Sequence, residues 1–227
     1  TMIKDGRVYN DVSSNGNIFC VTEDGGMFTA AAGMTTKDLL NRGVQDTYCF
    51  GPTLVENGKA CEISGQFHQT ARYQRAAVGM VNPGDYYLVV VDGKGYGGSQ
   101  GMTYQELQQV FLDLDCDYAY NLDGGGSTMV GVQYPGYDKC ATANTPTDGS
   151  MRACANFIFL VREKTQAEEA DHLFLYPAHS YALPGATVNF TLKAADRNYV
   201  AADVPGSISW STNFGAVGEG KLVLDTS

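Results

Sequence analysis

Histidine and tryptophan are nearly missing from this chain, with three His and one Trp in 227 residues. His68, His172 and His179 are scattered, so neither a histidine-based triad nor a histidine metal site is expected in the main body of the chain. Cations are scarce too: 15 Lys and Arg stand against 25 Asp and Glu, a net charge of −10. Such a chain is repelled by phosphate backbones and anionic lipid, so no nucleic-acid partner is expected. Long apolar runs are absent. Runs such as Phe157–Val161 fall far short of the roughly 20 residues needed to cross a bilayer, so no membrane insertion is expected. No secretory leader is visible at Thr1. The six cysteines include no CxxC pair, which argues against structural zinc. Their even number permits disulfides, and with them an extracellular or cell-surface location; the pairing stays open.

What is present is an ordinary globular composition, 44% apolar and 18% charged, with an excess of glycine and tyrosine. The 27 glycines imply many turns or points of close backbone approach. A charged, apolar-poor stretch at Glu163–Asp171 reads as a linker between residues 1–165 and residues 171–227. The second part alternates apolar and polar residues in short runs. Val188, Phe190 and Leu192 share one face and Ile208 and Trp210 another, as in a partial immunoglobulin-like β-sandwich. The first part reads as α/β (α+β), a mixed sheet with a few helices. A capping box at Thr103 and Glu106 opens a helix to about Asp115, with Leu107, Val110, Phe111 and Leu114 as its apolar stripe. A shorter helix begins at Thr35 or Thr36. Strands are expected at Tyr86–Val91, Ala119–Leu122 and Phe157–Val161, and residues 86–122 as a whole read as a βαβ-like unit. Asn57-Gly58 marks a hairpin.

The segment richest in chemistry is Asn121-Leu122-Asp123-Gly124-Gly125-Gly126-Ser127-Thr128, directly after a strand. Three glycines without Cβ atoms let N–H groups converge on an anion, with Asp123 beside them; a flexible polar turn is the plainer reading. Gly93, Gly95 and Gly98 match G-x-G-x-x-G, but the helix cap lies five residues beyond the third glycine, so dinucleotide binding is not expected. The loop instead places Asp92 at a strand end. Asp113, Asp115 and Asp117 lack the remaining ligands of a calcium loop and read as a solvated face. Arg75, Arg152 and Asn156 flank apolar stretches, where an Arg can clamp a carboxylate or phosphate or simply form a surface ion pair.

These segments together resemble the phosphodiester glycosidase family. NLDGGGST at Asn121–Thr128 looks like the family hallmark, and five surrounding stretches agree in order. Phe50–Gly58 resembles FGP-x-LV-x-NG, and Gln74–Gly79 is similar to PRTAVG, with Gln for Pro and Ala for Thr. Leu88–Gly93 matches LVVVDG, Gly101–Leu107 resembles GLTL-x-EL, and Met151–Asn156 resembles ER-x-VSNA. The family's upstream NGGFF or NGDYF segment has no counterpart. Ile3–Val8 looks like the stretch just after it, so the first domain is expected to lack its N-terminal part.

The resemblance implies hydrolysis of a sugar-1-phosphodiester of the GlcNAc-1-phosphate type at the anomeric C–O bond, with a glycan or sugar-phosphate as substrate. It implies Asp123 as first choice and Asp92 as second for the carboxylate, with Arg75 supplying charge at the phosphate. Arg152, Gly124, Gly125, Gly126, Ser127 and Thr128 would bind the phosphoryl group, and Asn121 and Asn156 would hold sugar hydroxyls or orient the carboxylates. No cofactor or metal is expected, although Asp92 and Asp123 could hold calcium if they converge. The alternative is a non-catalytic carbohydrate or cell-wall binding protein on the same fold.

Overall fold

The computed structural model describes residues 2–64, 70–93, 95, 98–154, 157–161, 166–218 and 220–226. Asn156, His68, Lys94, Tyr96, Gly97 and linker residues 163–165 lie outside the described residues. Contacts divide the chain into residues 1–130 with 142–156, and residues 131–141 with 157–227. The described residues are mostly strand with two α-helices, as expected of mixed sheets with few helices.

In the first unit β1 (Met2–Lys4) and β2 (Arg7–Asn10) form a hairpin. Next come β3 (Ile18–Thr22), β4 (Met27–Ala30) and β5 (Val44–Cys49), an antiparallel sheet in the order β4-β3-β5. Helix α1 (Thr36–Asn41) joins β4 to β5, and the Thr35 hydroxyl and Asp38 carboxylate close its N-terminal capping box. The period-2 alternation of a strand gives β3 two buried faces. Ile18 and Cys20 join Ile3, Ala30, Leu39 and Val44 in the cluster beneath α1. Phe19 points the other way, with its ring 5.7 Å from Tyr48, 6.0 Å from Tyr118 and 5.0 Å from Tyr120.

The last two tyrosines belong to the larger sheet. It comprises β6 (Thr53–Glu56), β7 (Lys59–Ala60), β8 (Arg75–Asn82), β9 (Asp85–Val91) and β10 (Tyr118–Asn121), in the order β7-β6-β10-β8-β9. The Asn57-Gly58 hairpin forms as expected: φ is +52° and +67°, the pair of left-handed residues that a two-residue turn requires. The strand–helix–strand unit also forms, but split. Strand β8 lies between β9 and β10 and is antiparallel to both, so β9 and β10 run parallel without touching.

Helix α2 (Tyr104–Asp113) covers the face opposite Phe19. Thr103 and Glu106 make the expected capping box. Leu107 and Phe111 are fully buried against Leu54, Val55, Ala77 and Ala119, each contributing roughly 1.5–3 kcal/mol relative to exposure. Gly79 must lack a side chain, since a Cβ there would lie 2.5 Å from the Phe111 ring. Gln108, polar in an otherwise apolar stripe, is buried because its amide donates to Leu54 O (2.8 Å) and Cys61 O (2.7 Å). The first unit is therefore layered as α1, three-stranded sheet, five-stranded sheet, α2.

The six cysteines are free thiols, not disulfides. Cys20 and Cys116 sit in the two separate apolar clusters, on opposite sides of the paired sheets, so neither can reach the other. Burial pushes the Cys20 thiol up to about 12 and the Cys116 thiol up to about 11.

Past the first unit's triple-glycine segment, β11 (Gly131–Val132) and β12 (Ala141–Thr142) flank an excursion assigned to the second unit. There Tyr134 and Tyr137 pack edge-on to Tyr176, whose hydroxyl donates to Pro135 O. One sheet of this unit holds β13 (His172–Tyr176), β15 (Thr191–Ala195) and β16 (Ala201–Ala202). The other holds β14 (Thr187–Asn189), β17 (Ala216–Gly218) and β18 (Lys221–Val223). Val188, Phe190 and Leu192 alternate with exposed neighbours as expected, but the chain changes sheet at Phe190, whose N–H donates to Gly220 O. Two expected strands do not form. Ile208 and Trp210 keep the alternating burial without a ladder. Residues 157–161 pair with no described strand and leave Phe159 74% and Val161 86% exposed. Apolar content alone does not make a strand, because the backbone donors and acceptors still need a partner.

Candidate functional site

The pairing of the five-stranded sheet gathers the expected site residues at one of its ends. Asn121 closes β10 opposite Ala77, and Arg75 opens β8 opposite Val91, the last residue of β9. The triple-glycine segment follows Asn121 and Asp92 follows Val91, so residues as far apart in sequence as Arg75 and Thr128 meet at one end of the sheet. Arg75 and Asn121 occupy the face that carries Ala77, the α2 side, by strand parity.

Arg75 is 5% exposed. Its Nε donates to Met102 O at 3.0 Å, and its Cζ lies 3.7 Å from the centroid of the Tyr104 ring and 5.6 Å from that of Tyr73. These contacts hold the guanidinium over the Tyr104 ring, while Nη2 is buried with no hydrogen-bond partner. Asn121 is 1% exposed: its Nδ2 donates to Gly51 O and Leu122 O, both at 2.8 Å, and its Oδ1 is orphaned. Thr128 is 2% exposed with Oγ1 orphaned. Among the described residues these three are the buried side-chain polar atoms without a partner, and all three were site candidates on sequence grounds. Native interiors rarely leave such atoms unpaired unless a ligand or water completes them.

The bend itself is a single 3-10 turn at Gly125–Ser127. Gly124 lies on the backbone of Gln74, where a Cβ would come 2.8 Å from Gln74 O; Gly125, at φ +59°, donates its N–H to the same oxygen at 3.4 Å. Ser127 and Thr128 spend their N–H groups on Gly124 O and Gly125 O, each at 3.1 Å. The amides therefore do not all converge on one point: Gly124 and Gly126 are the two whose N–H groups make no bond to another described residue. Against Gly126 sits the Arg152 guanidinium, and a Cβ on Gly126 would overlap it. Arg152 donates through Nε to Asp148 Oδ2 (2.9 Å), and its Nη2 lies 2.8 Å from the same oxygen in an ion pair. Asp123 is exposed at the mouth of the bend and makes no hydrogen bond or ion pair with another described residue.

Asp92 is engaged differently. Oδ1 accepts from Asn144 Nδ2 (3.0 Å) and Thr145 N (3.0 Å), and Oδ2 lies 3.1 Å from Thr145 N. Asn144 also donates to Thr128 O and accepts from Val130 N, and Gln74 Nε2 donates to Thr147 Oγ1. The 144–148 loop is thereby tied across the sheet end. Asn144, Thr145, Thr147 and Asp148 had no sequence signal beyond a turn-rich composition, because their partners lie as far as 73 residues away. Beside this end Arg72 pairs with Glu106. The bond from Thr103 N–H, then its hydroxyl and Arg72, hold the Glu106 carboxyl below the usual range. A shallow cavity of about 350 Å³ is lined by Thr70, Ala71, Arg72 and Gln100. No group of three His, Cys, Asp or Glu among the described residues is placed to hold a metal.

Comparison with known proteins bears on what this end of the sheet is. The chain is 28% identical over 138 residues to the SPbeta prophage-derived uncharacterized protein YomE of Bacillus subtilis (strain 168), covering 58% of this chain and 21% of that protein. Among solved structures it is similar to the zebrafish N-acetylglucosamine-1-phosphodiester alpha-N-acetylglucosaminidase catalytic domain auto-inhibited by pro-peptide. That match has 20% identity and a TM-score of 0.48 over 67% of this chain and 53% of the other. A hypothetical protein from Synechocystis matches at 20% identity and a TM-score of 0.34, over 53% of this chain and 30% of the other. The chain thus spans about a fifth of the curated relative and about half of the zebrafish structure. Residues 1–161, well over half of the chain, match the family model for phosphodiester glycosidase, and the protein belongs to the phosphodiester glycosidase family.

Proposed function

We propose that the chain hydrolyses the glycosidic C–O bond of a sugar-1-phosphodiester of the GlcNAc-1-phosphate type, releasing free sugar and a phosphomonoester. The observation that carries this reading is the trio of buried, unpartnered atoms, Arg75 Nη2, Asn121 Oδ1 and Thr128 Oγ1, at the sheet end that holds the triple-glycine bend. A cation, an amide oxygen and a hydroxyl fit a ligand with anionic oxygens and sugar hydroxyls. Family membership favours the same class of ligand.

In the proposed step, water adds to the anomeric carbon, the C1–O bond breaks, and its electron pair leaves with the phosphate oxygen. The leaving group is already anionic, so it needs cations and N–H donors more than a proton. Arg75 and Arg152, with the N–H groups of Gly124 and Gly126 and the Ser127 hydroxyl, serve that end. Asp123, exposed and unencumbered, takes the proton of the attacking water or first carries the glycosyl group. Asp92, with both oxygens already bonded to Asn144 and Thr145, acts as the positioning residue of the 144–148 loop in this reading. Asn121 and Asn156 contact sugar hydroxyls. The reading uses no cofactor. The second unit, which we propose to be an immunoglobulin-like sandwich, carries no residue of this chemistry. An extracellular or cell-surface location is part of the same proposal and draws nothing from the cysteines, which are free.

The test is Asp123→Asn assayed for sugar release from a sugar-1-phosphodiester, alongside a thermal melt. Loss of at least a hundredfold in kcat with the melting temperature within a degree or two is expected, because an exposed substitution shifts stability by only about ±0.5 kcal/mol. Full activity in the variant, or glycan binding with no turnover in the wild type, would overturn the proposal.

A further inference from the structure

The Asp148–Arg152 pair occupies the ground that the phosphate needs. Nε donates to Asp148 Oδ2 and Nη2 lies in ion-pair contact with the same oxygen, while the other carboxylate oxygen rests on the bend: a Cβ built on Gly126 would come 2.7 Å from Asp148 Oδ1. The absence of a side chain at Gly126 is what admits the pair to the main chain. Placement of Asp148 is not left to a floppy segment. Thr145 N–H and Asn144 fasten the loop to Asp92, and Thr147 fastens it to Gln74. Yet the pair is half-exposed, at 49% for Arg152 and 40% for Asp148. A pair of that exposure is weakly held in water and exchangeable.

We infer that Asp148 is an internal occupant of the anion site, a carboxylate that holds Arg152 against Gly126 until the phosphodiester displaces it. The inference rests on the proposed role of Arg152 at the phosphate. One guanidinium edge cannot serve a carboxylate and a phosphate at once, so binding is an exchange of one anion for another on Nε and Nη2, with no covalent change. A neutral glycoside offers nothing to take the place of Asp148, leaves the pair closed, and is discriminated against. Asp148 is thus a specificity-determining residue for anionic substrates.

The experiment compares wild type, Asp148→Asn, Arg152→Gln and the double variant, using calorimetric titration with inorganic phosphate and steady-state kinetics on a sugar-1-phosphodiester. Asp148→Asn is nearly isosteric and exposed, so its fold is expected to persist. Phosphate should bind it about fivefold more tightly than wild type, the factor expected for releasing a half-exposed ion pair. KM should fall by a similar factor with kcat unchanged. In the Arg152→Gln background the Asp148→Asn substitution should change neither quantity, a result that a merely structural role for Asp148 would not produce. Equal or weaker phosphate binding by Asp148→Asn overturns the inference, as does an undiminished effect in the double variant. Turnover by the wild type together with unchanged phosphate affinity in Asp148→Asn removes this inference alone. Absence of turnover in the wild type removes the proposed function, while the titrations still decide the exchange.

Discussion

Arg75→Met sets the demands of folding against those of ligand binding at a single position. The wild-type guanidinium is 5% exposed and has no ion-pair partner among the described residues. Replacing it removes the bond from Nε to Met102 O and the stacking on Tyr104. A hydrogen bond to a charged group contributes about 1.5–3 kcal/mol, and a desolvated cation–π contact about 2 kcal/mol. Met102 O is not orphaned by the change, since it also accepts from Tyr73 N–H at 3.1 Å. Against these losses, the variant no longer desolvates a cation, which costs several kcal/mol for a buried ion. Nor does it bury the unpartnered Nη2, worth about 1–3 kcal/mol. The two sides nearly cancel, so stability is expected to stay within about 2 kcal/mol of wild type, or about 8 °C in Tm for a chain of this size. Ligand linkage should not cancel. Phosphate at ten times its Kd stabilises the wild type by about 1.4 kcal/mol through mass action, and the variant should show no such increment. Thermal melts monitored by circular dichroism, with and without phosphate, read both quantities. A fall in Tm well beyond 10 °C would show that Arg75 is a structural residue with satisfied partners. An equal phosphate shift in both proteins would show that its free edge faces no ligand. Either result refutes the reasoning from the orphaned nitrogen.

Three further outcomes are expected. Gly126→Ala adds a methyl where the Arg152 guanidinium and Asp148 lie, while its backbone angles suit alanine, so steady-state kinetics should show a rise in KM of at least tenfold with little change in Tm. Asn144→Ala severs the side-chain bonds to Asp92, Thr128 O and Val130 N, and denaturant titration should register a loss of about 1–3 kcal/mol with a drop in kcat/KM. The buried thiols give a pH signature. The folded chain keeps the Cys20 and Cys116 protons up to about 12 and about 11, whereas unfolded thiols release theirs from about pH 9. Unfolding therefore releases protons in this window, and stability should fall as pH rises from about 9 to 12. Replacing both by Ala or Val should lessen that slope in urea titrations at pH 8 and pH 11, the remainder coming from the Tyr118 and Tyr120 phenols, which burial also pushes up; an unchanged slope would contradict the assignment.

Much of the local structure was legible from side chains a few residues apart. Thr35 with Asp38 and Thr103 with Glu106 start the two helices, and Asn57-Gly58 turns the hairpin, because each device acts within one turn of chain. The candidate site was legible for a related reason: glycines, Arg75 and Asn121 interrupt apolar strand patterns at strand ends, where side chains cannot be there for packing. Tertiary structure decided the rest. That Phe157–Val161 and Ile208–Trp210 form no ladder depends on whether a partner backbone is present, which periodicity does not encode. The insertion of β8 between β9 and β10 and the separation of Cys20 from Cys116 are outcomes of strand order. So is the engagement of Asp92 by Asn144 and Thr145, 52 and 53 residues away. Closing so long a loop is only slightly harder than closing a shorter one, since the entropy grows with the logarithm of length. Residue types therefore reveal that Asp92 and Arg75 stand at strand ends, but only the folded sheet determines that one carboxylate is occupied and one guanidinium edge is not.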